Sequence, residues 1–347
     1  MGSGCVGVLR RPGPGLVRGH RREDRGAGAV GTLQEHEAPH RPVMVRQVVE
    51  LLGPRPGGVY VDATVGAGGH ARALLEREPS VRIVGLDRDP EALAVAARRL
   101  EAWRDRVVLL RADFSELEAK LRDLGLQRVD GILFDLGVSS LQLDTPGRGF
   151  TYQVDEAPLD MRMDPALPLT AADLLNRLPK ERLARIFREY GEERWASRIA
   201  AFVVEARRRQ PLERTGDLVA CIKAAVPAAA RRTGGHPARR VFQALRIAVN
   251  DELGQLERAL PQAMRALREG GRLVVISFHS LEDRRVKEAL RRAQSAGEPV
   301  PMRVLTRKPL TPDAAEAARN PRARSARLRA AERLAGPDRA ASTKGVR

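Results

Sequence analysis

Long apolar runs are what this chain most lacks. No stretch of its 347 residues approaches eighteen apolar positions, which argues against a membrane-spanning helix. The arginine-bearing N-terminus has no apolar segment of the kind a secretory signal carries. Cysteine is almost missing: Cys5 and Cys221 stand far apart in unlike contexts. They offer neither a disulfide framework nor metal-type spacing, so no metal is expected and the usage fits a reducing, cytoplasmic setting. Aromatic residues make up only 3%, which argues against a broad stacking platform for nucleic-acid bases.

Positive charge is what the chain has instead. Lys and Arg outnumber Asp and Glu by 61 to 44, a net charge of +17, and such an excess favours a polyanionic partner. An arginine-rich proteome gives the same excess, so its placement says more than its size. Residues 231–246 carry Arg231, Arg232, Arg239, Arg240 and Arg246 with no acid, and residues 303–347 carry twelve Lys/Arg against four Asp/Glu. Residues 1–38 mix six arginines and four acids among glycines without apolar periodicity. That stretch reads as a disordered Gly/Arg-rich extension, and residues 311–347 read as a basic C-terminal tail.

Order begins near Pro39. A helical pattern over Val43 to Leu52 ends in a Gly/Pro break, and from Gly58 strand and helix alternate. Strands are expected at Val59–Ala63, Arg82–Asp87, Val107–Leu110 and Gly131–Asp135, with helices starting at His70, Pro90 and Ser115. Alternation at this pitch means an α/β fold of parallel strands joined by right-handed crossovers. From Leu141 to Pro237 only helical patterns appear. Strand character returns at Gly271–Phe278, after a helical Val241–Leu267 that Pro261 breaks or kinks. Residues 39–140 and 239–310 are therefore read as the α/β domain, and 141–238 as an inserted helical, substrate-recognition domain.

The strand ends carry the chemistry. Asp62, Ala63 and Thr64 lead into Gly66-Ala67-Gly68-Gly69-His70, a turn whose amides and close backbone approach suit a ligand at a helix N-terminus. The spacing is not that of a pyrophosphate-binding turn, and Asp62 opposes a pyrophosphate. It suits a ligand with a cationic amino group and a sulfonium. Asp87 ends the second strand about twenty residues on, where an acid accepts from ribose hydroxyls. Asp89, followed by Pro90, is the better cap for the next helix, which leaves Asp87 free. Asp113 and Phe114 end the third strand; Phe114 either packs near an adenine or is plain core. Asp135-Leu136-Gly137-Val138-Ser139-Ser140 ends the fourth, placing a carboxylate and two hydroxyls on the rim where open α/β sheets bind ligands.

Taken together, these residues resemble a family. From about His40 to Arg333 the chain is similar to the bacterial 16S rRNA cytosine-N4-methyltransferases, the RsmH or MraW family. The likeness rests on Asp135 to Asp144, Arg148-Gly149-Phe150, Leu159 to Asp164, Phe242 to Asn250, Ser277 to Asp283 and Asn320 to Ser325. It implies a class I, Rossmann-like, S-adenosylmethionine-dependent enzyme that methylates the exocyclic N4 amine of a cytosine in the decoding region of 16S rRNA. The small ribosomal subunit is then the partner; neither membrane nor metal is expected, and a homodimer is left open. The resemblance puts Ala67, Gly68, Gly69 and His70 beside the methionine part of the cofactor, Asp87 on the ribose, Phe114 near the adenine, and Asp135 and Gln142 on the fourth-strand side. Gln47, Ala63 and Val65 depart from the family's usual acid, glycine and aromatic. A methyltransferase of the same fold on another substrate, or an RNA-binding assembly factor without activity, are the alternatives.

A cytosine amine is conjugated with its ring and is a poor nucleophile, so the enzyme must align it and accept an N–H hydrogen bond from it. Asp135 or a loop carbonyl is the expected acceptor, with Ser139 and Ser140 orienting the base. His279 either contacts the base or its phosphate, or is a hydrogen-bonded loop histidine beside a capping Glu282-Asp283. Arg246 and Asn250 lie one turn apart and either reach RNA or tie the insertion to the core. Leu159–Asp164 is a salt-bridged loop or a substrate loop.

Overall fold

The computed structural model describes residues 42–231, 235–295 and 297–335. The Gly/Arg-rich extension read at 1–38 lies outside the described residues, as do Arg232 and residues 336–347.

The chain opens with α1 (Val45–Leu52), β1 (Val59–Asp62), α2 (Gly69–Arg77), β2 (Arg82–Asp87), α3 (Pro90–Arg99), β3 (Val107–Arg111), α4 (Leu117–Asp123) and β4 (Val129–Asp135). Then come α5 (Ser140–Asp144) and the helices α6 (Ala171–Arg177), α7 (Lys180–Glu189), α8 (Ala196–Arg207), α9 (Thr215–Ala225) and α10 (Ala228–Arg231). The chain returns through α11 (Ala238–Asn250) and α12 (Glu252–Ala266) to β5 (Leu267–Ser277), α13 (Ser280–Arg292), β6 (Met302–Val304), α14 (Ala314–Arg319) and β7 (Arg327–Arg333).

The seven strands form one sheet in the order β3-β2-β1-β4-β5-β7-β6. Strands β1 to β5 run parallel, and β7 lies antiparallel between β5 and β6. The order turns back at β1, with β2 on one side and β4 on the other, so the crevice at a switch point opens at their carboxyl ends. The central strands β1 and β4 are buried almost throughout, as a sheet covered on both faces requires. One apolar cluster (Val61, Ile132, Phe134, Leu273) covers one face, and another (Leu74, Ile83, Leu133, Val274) covers the other.

Two readings of the sequence need correction. Residues 311–335 are not a tail: β7 is an interior strand, and Leu310 pairs with Leu328. Arginines hide this strand in the sequence. Arg329 is buried because Asp283 of α13 takes its Nε at 2.6 Å and its Nη2 at 3.1 Å, so a charge sits where an apolar residue is expected. The helix read over Val241–Leu267 breaks at Asp251, which adopts φ +48°, not at Pro261, which α12 accommodates. Asp is among the few residues that tolerate the left-handed region.

The inserted helices build a core of their own from Phe150, Leu183, Phe187, Ile199, Val203 and Ile222. That core continues into α11 through Val241, Phe242 and Leu245, so α11 packs its first turns with the insertion and hands the chain back to the sheet at Asn250. Within the described residues of the insertion the one β-type contact is an isolated bridge between Pro158 and Arg214. No described helix is long and apolar enough to cross a membrane.

Candidate active site

The rim is assembled by the turn after β1. Val65 N donates to Leu86 O, Gly68 N to Val65 O, and Gly66 N to Asp87 Oδ2 at 2.9 Å. Gly68 has φ +79°, and a Cβ there would lie 3.1 Å from Leu100 Cδ1. Glycine is therefore demanded by both conformation and space. α2 starts immediately after it with Gly69 and His70, and Ala67 is half-buried at the turn's apex.

Three carboxylates surround this turn. Asp62 is 1% exposed, accepts from Thr64 N through Oδ1, and leaves Oδ2 without a partner. Burial pushes it up to about 7. Asp87 accepts from Asp89 N and Gly66 N at 2.9 Å each, yet burial still pushes it up to about 6. Asp135 donates its backbone N–H to Thr64 Oγ1 at 2.6 Å and leaves Oδ1 unpartnered; burial, and then the charge of Glu282, push it up to about 7. Buried acceptors without donors are rare in folded proteins and call for an explanation. A cationic ligand with hydrogens to donate supplies one.

His70 closes the group from below. Its Nε2 lies 2.9 Å from Val43 O, and its Nδ1 lies 3.6 Å from Asp135 Oδ2. The ring is buried, which holds it below the usual imidazole range. Phe114, past the end of β3, lies edge-to-face with Phe134 at 5.7 Å and has the Arg88 guanidinium 5.9 Å from its ring. Asp113 is taken by Arg88 and by Ser115 N.

Other predicted residues are held in structural roles. Ser139 Oγ accepts from Gln142 N at 3.2 Å while Gln142 Oε1 accepts from Ser139 N, a reciprocal cap on α5. Gln142 Nε2 donates to Asp89 Oδ2 at 2.8 Å. Ser140 is half-buried at the start of α5, beside the cap. His279 caps α13, with Nδ1 accepting from Glu282 N at 3.4 Å and Nε2 lying 3.1 Å from Glu282 Oε1. These are the contacts of a hydrogen-bonded loop histidine, with His279 itself, not Glu282-Asp283, as the cap. Arg246 pairs with Glu252 at 2.7 and 2.8 Å, so it leaves the basic cluster; Arg231, Arg239 and Arg240 remain exposed. Asn250 is buried, giving Nδ2 to Met161 O and Arg246 O and taking Met163 N; it ties the insertion together. In the Leu159–Asp164 loop, Arg162 grips Asp160 at 2.8 Å, the salt-bridged alternative.

The sequence reading missed the joint that holds this rim to the insertion. Asp89 is fully buried; it caps α3 as expected, and it also receives Gln142 Nε2 and Arg148 Nη2 at 2.9 Å. Arg148 reaches on to the carbonyls of Arg162 and Met163. Arg88 donates to Asn250 O at 2.9 Å. Three successive residues, Asp87, Arg88 and Asp89, thus serve the turn after β1, the end of α11 and the insertion loop. The Asp-Pro signal gave the cap alone. Thr64 was missed as well, because only the folded sheet brings its hydroxyl under β4. Among the described residues, no group of three His, Cys, Asp or Glu is placed to hold a metal ion.

The chain is similar to several known proteins. The MraW methylase family matches residues 37–334. The chain is 55% identical over 309 residues to ribosomal RNA small subunit methyltransferase H of Heliobacterium modesticaldum, covering 85% of this chain and 98% of that protein. It is 56% identical to the protein of the same name in Geobacter sulfurreducens, covering 85% and 99%. A solved rRNA methylase from Streptococcus thermophilus shares 11% identity at a TM-score of 0.39, over 84% of this chain and 94% of that one.

Proposed function

We infer the reaction from one premise: the chain belongs to the MraW methylase family. It is a methyltransferase, its cofactor is S-adenosylmethionine, and its substrate class is the RNA of the small ribosomal subunit. We propose that the methylated group is the N4 amine of a cytosine in the decoding region of 16S rRNA.

The carrying observation is the Asp135 carboxyl at the end of β4: its buried Oδ1 has no partner, while the side chain as a whole is 21% exposed. The rim fits the cofactor. The close-approaching backbone of the Gly68-Gly69 turn and the unpartnered Asp62 oxygen would hold its charged methionine end. Asp87 would take the ribose, and Phe114 would lie against the adenine. When bound, the cofactor supplies an electrophilic methyl group on a sulfonium. The chain's own residues must then seat the amine in line with that methyl, worth up to about 7–11 kcal/mol of the barrier in well-oriented cases. They must also accept one amine N–H, so that the nitrogen gains electron density as its new bond forms. Asp135 is placed for that, with Ser140 close by on the same loop.

The target base must leave its stack to reach the pocket. With few aromatics available, shape and phosphate contacts dominate recognition. Arg231, Arg239 and Arg240 are exposed where the insertion's chain returns, and we assign them to neutralising phosphates. The test is transfer of a labelled methyl group to small subunits from a strain lacking this activity, followed by mass mapping of the modified nucleoside. Label on the N4 of one cytosine is expected. Label on a different atom refutes the cytosine assignment, and tight subunit binding with no label favours an assembly factor.

A further inference from the structure

His70 sits where the cofactor turn, β4 and the segment before α1 meet, and its ring is used on both edges. A carbonyl oxygen only accepts, so the 2.9 Å contact with Val43 O places the hydrogen on Nε2. In the neutral ring Nδ1 is then a bare lone pair. That lone pair faces Asp135 Oδ2 at 3.6 Å. A carboxylate and a lone pair repel each other, and a proton between them turns the repulsion into a hydrogen bond. The remaining charged groups around the pair favour keeping that proton. Asp62 faces it from β1, Glu282 from α13, and Glu316 from α14. All three are acids. Glu282 is held as an anion by His279 and Arg246, below the usual carboxylate range.

We propose that His70 is a positioning residue: its Nδ1 shares one proton with the Asp135 carboxyl, and so lets Asp135 take the proton that the cytosine amine sheds. The proposal rests on the functional reading above and deepens it. The balance is simple. The amine nitrogen forms its bond to the methyl carbon as the carbon–sulfur bond breaks, and that pair stays on sulfur. The nitrogen, now cationic, gives a proton to the Asp135 carboxylate, and its N–H pair returns to nitrogen. A turn of the carboxyl about Cβ–Cγ presents the proton to Nδ1, where it rests until it passes to solvent. The pair gains one proton per methyl transferred and returns it. The 3.6 Å gap is the loose form of a contact that tightens once the site is filled.

The first readout needs neither cofactor nor RNA. In the free protein, with ring nitrogens and carboxyl carbons isotopically labelled, NMR should show His70 with hydrogen on Nε2. Asp135 Cγ and His70 Nδ1 should move together through one apparent step, as coupled groups do. In His70→Gln the amide nitrogen keeps the Val43 contact and the acceptor at Nδ1 is lost. Asp135 should then titrate lower, by roughly 0.5–1 unit for one neutral hydrogen bond. In His70→Asn the side-chain oxygen replaces Nδ1, and Asp135 should titrate near the wild-type position. The acid limb of the single-turnover methylation rate should follow the same two shifts, with the rate itself roughly tenfold lower in both variants, because neither amide can take the proton. Hydrogen on Nδ1 instead of Nε2 while the pair is unprotonated, independent titration of the two groups, or an acid limb that stays put in His70→Gln overturns the proposal. Should the wild-type protein methylate no rRNA, the functional reading falls, while the NMR titration still decides whether the proton is shared.

Discussion

Asp135 ends β4 and Asp89 lies just past β2, and the fold treats these two acids in opposite ways. Asp89 receives a backbone N–H, an amide N–H and a guanidinium N–H, and nothing is left to pair. Asp135 keeps one oxygen bare and, through burial, is pushed up to about 7; its neighbour Asp62 is alike. A buried acceptor without a donor costs about 1–3 kcal/mol, so a sequence keeps one only where something other than stability depends on it. The satisfied acid marks a structural joint. The bare acids mark the place a ligand completes.

The sharpest way to break that comparison is to remove one acid of each kind. Asp135→Ala should lower methyl transfer by about 10²–10⁴-fold, the range of a lost proton acceptor. It should leave the urea midpoint unchanged or raise it, since no satisfied bond is lost. Retained turnover ends the catalytic assignment. Asp89→Ala should do the reverse. It strands the largely buried Arg148 and uncaps α3, so stability should fall by about 3–5 kcal/mol, as when one partner leaves a buried ion pair. Equilibrium urea unfolding measures this. An Asp89 variant as stable as wild type would mean that the joint carries little, and the contrast would fail.

The same contrast explains what was legible in the sequence. The rim acids stand out because they end apolar strands: Asp62, Asp87 and Asp135 each follow a run that reads as buried, and the polar residue after it is conspicuous. The alternation of β1 to β4 with helices, and its interruption by the insertion, were visible for the same reason, since each lies in local periodicity. What stayed hidden depends on partners far along the chain. Arg329 reads as a tail residue until Asp283 arrives from α13. Arg246 reads as part of a basic face until Glu252 takes it. Asp251 looked less disruptive than Pro261, because the left-handed turn it adopts leaves no composition signal. Each miss is a charged or polar side chain whose role is set by one long-range or next-turn partner.

A smaller effect separates the two kinds of acid by pH. Asp62 and Asp135 bind protons more tightly folded than unfolded, at about 7 each against the ordinary carboxylate range near 4. Their contribution to stability is therefore fully present at low pH and is lost as pH rises from about 4 through about 7. Asp160, Glu282 and Asp283 have the opposite sign, because their partners hold them below the ordinary range. Only the difference between proteins isolates the rim. The double variant Asp62→Asn, Asp135→Asn should gain on wild type between pH 5 and pH 8, by at most a few kcal/mol. Equal slopes in the two proteins would show that the rim acids are not held in their protonated forms.

The smallest expected effect lies on the insertion, where charge serves an outside partner instead of an inside one. Arg246 is neutralised within the fold by Glu252, while Arg239, on the same helix, is exposed and bonded to no acid in the described structure. If Arg239 meets a phosphate, Arg239→Ala should weaken binding of the small subunit modestly and flatten the slope of log affinity against log salt by roughly one unit, whatever the RNA sequence. Stability should not change, because no internal bond is removed. An unchanged salt slope would move the phosphate contact off this helix, and the exposed arginines of α11 would be left as ordinary solvated charge.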